Sequence, residues 1–184
     1  MDHDKPFLTD IKTLRDRARR EIERGSVTPG YKADAAAVCR VLNEALATEI
    51  VCVLRYKRHH AMAKGIHAQS VAEEFAEHAA EEQGHADSIA ERIVQLGGEP
   101  DYSPVTLTQR SHSEYKEGDG LADMLREDLV AERIAVESYS EIVRWIGDGD
   151  PTTRRLMERI LEKEEEHADD LASLLEGVGQ RASL

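Results

Sequence analysis

The stretch that decides the fold is EFAEHAAEEQGHADSIAERI, residues 74–93. Flanked by Val71 and Leu96, its Phe75, His78, Ala79, Glu82, His85, Ala86, Ile89 and Ile93 recur at intervals of three and four, the period of an amphipathic helix. Glu82 and His85 therefore ride on the apolar seam, away from the solvent face. A second Glu-x-x-His, Glu164 with His167, lies in ILEKEEEHADDLASLL, residues 160–175, on a seam made by Leu156, Ile160, Ala168, Leu171, Leu174 and Leu175. With 23 glutamates and eight histidines in 184 residues, about one such motif is expected by chance. The number of motifs thus says little, and their phase carries the argument.

Working outward, the same period predicts four long helices. The first spans about residues 34–63, with Val38, Val41, Leu42, Ala45, Thr48, Glu49, Cys52, Val53 and Tyr56 on one stripe, and the second about 68–97, ended by GGEP. The third spans about 120–147, with Leu121, Met124, Leu125, Asp128, Glu132, Ala135, Val136, Tyr139, Ile142, Val143 and Ile146 in phase. The fourth begins at Asp150-Pro151, an N-cap followed by proline in the first turn. Short loops near Gly65 and at GDGDP make each pair antiparallel. The polar segment PDYSPVTLTQRSHSEYKEGDG between the second and third helices is different. About 22 residues reach up to ~70 Å extended, more than the ~40 Å of a 27-residue helix, so these two helices can run parallel. The expected fold is all-α, a four-helix bundle over residues 34–184 with one long crossover. A short amphipathic extension precedes it at residues 1–33, with Phe7, Ile11, Leu14, Ala18 and Ile22 on its apolar side and the breaker GSVTPG at its end.

The two halves repeat. Glu49 and Glu132 are 83 residues apart, Glu82 and Glu164 are 82 apart, His85 and His167 are 82 apart, and Tyr56 and Tyr139 each follow their helix's glutamate by seven. A pseudo-twofold axis along the bundle would set the two groups of glutamate and histidine facing each other.

Composition narrows the chemistry. A chain with 40% hydrophobic and 33% charged residues is globular, and aromatics at 4% favour packed helices over a sheet sandwich. A net charge of −13 disfavours direct nucleic-acid binding and anionic membranes and attracts cations. No apolar run approaches the ~20 residues of a membrane span, and the N-terminus lacks the apolar core of a secretory signal, so a cytoplasmic protein is expected. Cys39 and Cys52 alone exclude a four-cysteine metal ribbon within the chain and are expected to act as small buried hydrophobes.

Residues at i and i+3 share a helix face, about 5–6 Å apart, so each Glu-x-x-His can give one oxygen and one nitrogen to a metal ion. A single glutamate on a predicted seam is ordinarily solvated or protonated. Six such residues on four seams are another matter, because four buried carboxylates left unpaired cost several kcal/mol each, and two divalent cations would balance them. Carboxylate and imidazole together suit iron, manganese or zinc.

One glutamate from each of two helices and Glu-x-x-His from each of the other two is also the ligand set of ferritin-like di-iron and di-manganese bundles. The segments LNEALATEIVCVLRYKRHH, EFAEHAAEEQGHADSIAERI, EDLVAERIAVESYSEIV and ILEKEEEHADDLASLL resemble that family, with bacterioferritin and the mini-ferritins its nearest branches. The resemblance implies that Glu49, Glu82 and His85 bind one metal and Glu132, Glu164 and His167 the other, with Glu82 and Glu164 bridging. It implies two iron ions per subunit, with manganese as the alternative. Tyr56 matches the family's tyrosine beside the centre, an electron donor or hydrogen-bond partner, whereas Tyr139 is expected to be a core aromatic. Where bacterioferritin has a haem-binding methionine this chain has Gln83, which argues against haem. Only 17 residues follow His167, too few for a channel-lining fifth helix, so a shell of twelve subunits is expected over one of twenty-four.

The implied function is a ferroxidase that oxidises Fe(II) with dioxygen or hydrogen peroxide for iron storage and detoxification. The alternatives are a non-storing di-metal catalase or peroxidase and a metal-free structural or DNA-protecting helical assembly. His59, His60 and His78 are expected to be satisfied or solvated histidines, and Glu77 and Glu81 to lie on a solvated face.

Overall fold

The computed structural model describes residues 9–65 and 68–181. Within them are six α-helices and no strand: α1 Ile11–Ala18, α2 Ala35–Met62, α3 Ala68–Gln95, α4 Leu107–Arg110, α5 Leu121–Ile146 and α6 Pro151–Arg181. Local chemistry sets the ends of the long helices. The Asp34 carboxylate accepts from the Ala36 and Ala37 N–H groups at the start of α2, and Asp150 accepts from Thr153 N–H at 3.0 Å, next to Pro151 in the first turn of α6. Gly97 takes φ +82° as the chain leaves α3, and the Gly98 N–H donates back to the Ile93 carbonyl. Gly118, at φ +64°, leads into α5, where an added Cβ would lie 2.8 Å from the Met124 nitrogen. Every boundary read from the periodicity falls within two residues of the observed one.

The four long helices pack as a bundle, α2 against α3 and α5 against α6. Apolar cores occupy its two ends. Leu42, Leu46, Ile89, Ile93, Tyr139, Met157 and Ile160 belong to one, and Tyr56, Phe75, Leu125 and Leu171 to the other. Burying one such aliphatic side chain contributes about 1.5–3 kcal/mol. Glu49, Glu82, Glu132 and Glu164 each lie on their helix between residues of the two cores.

The crossover follows α2 along its length. Near the start of α2, Asn43 Nδ2 donates to the Glu99 carbonyl and its Oδ1 accepts from Asp101 N–H. Farther on, Leu107 of α4 packs on Ala47 and Val51, and Thr48 Oγ1 accepts from His112 N–H. Near the end of α2, Arg55 and Arg58 donate to the Glu114 and Glu117 carbonyls. The chain thus enters α5 at the C-terminal end of α2, which makes α5 antiparallel to α2 and parallel to α3. Among the N-terminal residues, α1 buries none of its own side chains, while Val27 is buried and Tyr31 donates to Asp150 at 2.8 Å. Phe7 lies outside the described residues.

Candidate metal centre

Each long helix carries one glutamate to the middle of the bundle. Glu49, Glu82, Glu132 and Glu164 are at most 1% exposed, as is His167, and the side chain of His85 is 15% exposed. Ligand-type atoms of Glu49, Glu82, His85 and Glu164 all lie within 4.8 Å of one another, as do those of Glu82, Glu132, Glu164 and His167. All six residues singled out in the sequence are thus brought together, with Glu82 and Glu164 common to both groups.

The contacts point inward. His85 Nδ1 is 3.0 Å from Glu164 Oε1 and 3.3 Å from Glu49 Oε2; His167 Nδ1 is 3.3 Å from Glu82 Oε1 and 3.4 Å from Glu164 Oε2. These approaches are close but lack hydrogen-bond alignment. Glu49 Oε2, Glu82 Oε1, Glu132 Oε2, both Glu164 oxygens and the Nδ1 atoms of His85 and His167 are buried without a hydrogen-bond partner. Buried polar atoms are nearly always paired, so a convergent set of orphaned oxygens and nitrogens fits a pair of cations. Each group offers one ion three carboxylates and an imidazole, a donor set suited to iron or manganese.

Protonation answers the same electrostatic demand. Burial first, and then Glu82, push the Glu49 carboxyl up to about 8. Burial, Glu82 and Glu164 raise Glu132 well above the ordinary range. For the histidines burial acts downward but is overcome: Glu164 and Glu82 lift His167 to about 10, and Glu164, Glu49 and Glu82 raise His85. Protons held at this cluster must leave when metal binds.

A second layer fixes the first. Tyr56 donates to Glu132 Oε1 and Tyr139 donates to Glu49 Oε1, so each tyrosine orients the glutamate of the opposite half. Tyr139 is therefore more than the core aromatic expected from its seam position. Glu81 also departs from expectation. Only part-exposed, it sits 2.7 Å from His167 Nε2, the carboxylate–imidazole pairing that aims a ligating histidine. Its seam offset hid this, because spacing along α3 does not reveal what reaches across to α6. His59 is buried against Asp128, and His60 contacts the Ala72 carbonyl. His78, 2% exposed, stacks on His167 with ring centroids 4.0 Å apart. Both cysteines are free and buried, and burial pushes the Cys52 thiol well up, which keeps it a neutral packing group. Gln83 is exposed and bonds Asp87 at 2.9 Å.

Four long helices, a lengthwise crossover and paired carboxylate–histidine groups define a ferritin-like protein. A ferritin-like domain model matches residues 39–180, and the chain belongs to that family. Among named relatives, the nutrient stress-induced DNA-binding protein of Synechococcus sp. is 33% identical over 142 residues, 75% of this chain and 80% of that one. Bacterioferritin of Desulfovibrio desulfuricans is 30% identical over 148 residues, 78% and 79% of the two chains. Among solved structures, a dodecameric thioferritin, the bacterioferritin-related protein from Bacteroides fragilis, superposes with a TM-score of 0.78 at 30% identity, covering 83% of this chain and 92% of that one.

Proposed function

We propose that this chain is the ferroxidase subunit of an iron-storage and detoxification shell, with Fe(II) as its substrate. Glu49, Glu82, His85 and Glu164 hold one ion and Glu82, Glu132, Glu164 and His167 the other, so that Glu82 and Glu164 bridge. The observation that carries this reading is the set of buried, partnerless oxygens and nitrogens pointing into one space. Two Fe(II) ions give up one electron each, and dioxygen takes both with two protons to become hydrogen peroxide. With peroxide as oxidant, the same two electrons and two protons yield two waters.

The protein's own part is placement and charge. Four carboxylates offset two dications, neutral imidazoles complete the donor sets, and Tyr56 and Tyr139 hold the terminal glutamates by hydrogen bonds. Tyr56 acts through Glu132, which it touches. Manganese fits the same donors, and Gln83 supplies no axial ligand for haem. Assembly into a twelve-subunit shell is supported by the dodecameric relative and by exposed Leu54, Val94, Val130 and Trp145 on the outer helix faces. Within the N-terminal extension, α1 belongs to this reading as an appendage, since it buries none of its own side chains, whereas Val27 and Tyr31 tie the end of the extension to the bundle. The net charge of −13 disfavours direct nucleic-acid contact, and the arginines of the N-terminal extension, Arg15, Arg17, Arg19, Arg20 and Arg24, alternate with acidic residues.

Stopped-flow absorbance after mixing the protein with Fe(II) and oxygen tests the activity. A ferric signal that vanishes in Glu82→Ala is expected, and wild type no faster than buffer would sink the proposal. Size-exclusion with metal analysis then tests storage. A shell holding many irons per chain is expected; a small oligomer with only two metals per chain would assign a non-storing catalase or peroxidase instead.

A further inference from the structure

Beside the six-residue cluster, three more side chains converge that the ferroxidase reading leaves unused. Glu74 and His78 lie one turn apart on α3 and Asp170 lies on α6, with a ligand-type atom of each within 4.8 Å of the others. His78 is buried, the Glu74 side chain is 30% exposed, and Asp170 is exposed. The trio is rooted in the core and open to water.

The histidine is held from the inside. Tyr56, whose hydroxyl donates to Glu132, has its oxygen 3.3 Å from His78 Nδ1. The other ring nitrogen, Nε2, faces the trio and lies 3.2 Å from Glu74 Oε1. Asp170 adds a second carboxylate; burial first, and then Asp170, push the Glu74 carboxyl above its ordinary range. One imidazole nitrogen and two carboxylates thus converge at the mouth of a buried histidine. A cation bound there offsets the crowding of the two carboxylates.

Bundle packing does not ask for these residues. The repeat that superimposes Glu82 on Glu164 carries Glu74 onto Leu156 and His78 onto Ile160, both buried and apolar, and Asp170 onto Ser88. The equivalent places in the other half are thus filled without any such cluster.

We propose that Glu74, His78 and Asp170 form a third metal site, taking a divalent first-row transition ion and holding it at the protein surface beside the dinuclear centre. One imidazole and two carboxylates suit Fe(II), Co(II), Mn(II) or Zn(II), and water completes the coordination on the open side. That opening keeps the ion exchangeable. His78 joins the site to the interior, since it touches Tyr56 and stacks on His167. The identity of the ion as incoming Fe(II) rests on the ferroxidase reading, whereas the site itself rests on these three residues.

Cobalt(II) is the probe. The assembled full-length protein is titrated by calorimetry and visible absorbance, alongside a Glu74→Gln/Asp170→Asn double variant whose fold is checked by its melting curve. Both replaced side chains reach solvent, so the bundle should tolerate them. The double variant should bind one Co(II) per chain fewer than wild type, with an anomalous diffraction peak among the three side chains only in wild type. Equal stoichiometry in the two proteins overturns the third site. The sites retained by the double variant report separately on the dinuclear centre: two per chain keep the ferroxidase reading, and none removes it while leaving the third site standing.

Discussion

Arg55, His59 and Asp128 make one buried charged group, and the four glutamates with His85 and His167 make another, yet their hydrogen bonding differs throughout. Asp128 Oδ1 accepts from Arg55 Nε at 2.7 Å, and its Oδ2 meets His59 Nδ1 at the same distance. The remaining Arg55 nitrogens reach the Glu114 carbonyl and the Cys52 sulfur, and His59 Nε2 reaches the Glu117 carbonyl. Every polar atom is matched, and the matches clasp the crossover to α2. In the glutamate cluster the tyrosines match one oxygen of Glu132 and one of Glu49, while the inward atoms stay unmatched. Saturated burial of charge holds a fold together; unsaturated burial leaves valence for a ligand.

The largest effect should come from the unsaturated group. Glu164→Ala removes a residue shared by both metal positions and should abolish Fe(II) oxidation in stopped flow. Retained oxidation would erase the contrast. Arg55→Met should do the reverse. Leaving Asp128 buried with His59 but without its guanidinium partner costs up to about 3–5 kcal/mol, seen as a lower urea midpoint, with oxidation preserved where the variant is folded; an unchanged midpoint would mean that the matched group does not hold the crossover.

Glu81→Gln sharpens the comparison by loosening one histidine only. Zn(II) affinity measured by calorimetry should fall about 10–100-fold at one of the two positions, and equal loss at both, or none, would deny Glu81 its orienting role. The smallest effect is on stability against pH. Folding raises Glu49 from 4.5 to about 8 and His167 from 6.5 to about 10, so the folded protein holds protons that the unfolded chain has released. Their contribution is full below those ordinary values and is lost as pH rises through about 8 and then about 10. Metal-free protein should therefore melt lower at pH 9 than at pH 6, and Zn(II) should reverse the trend by replacing protons with metal. A melting temperature that climbs with pH in chelator would contradict the assigned shifts.

Much of this was legible along the chain. The seams of three and four placed Glu49, Glu82, His85, Glu132, Glu164 and His167 correctly, because a helix turns residue spacing into a face without help from the rest of the fold. The length of the crossover allowed α3 and α5 to run parallel, as they do. Glu81, Tyr139 and the Arg55 group were not legible, since their meaning lies in a partner on another helix. Glu74, His78 and Asp170 were hidden for the same reason: Asp170 lies 92 residues after His78 and 96 after Glu74, and no local period links them.

The sequence by itself determined four amphipathic helices, their direction and a repeated set of six ligand-type residues on buried seams, because the period and polarity of a helix are local properties. Only the tertiary structure decided which atoms end without a partner. That Glu82 and Glu164 belong to both groups, that each tyrosine serves the opposite half, and that His78 meets two carboxylates follow from how helices approach one another. Hydrogen bonds depend on tenths of an ångström and on angles across that gap, which no spacing along one chain can fix.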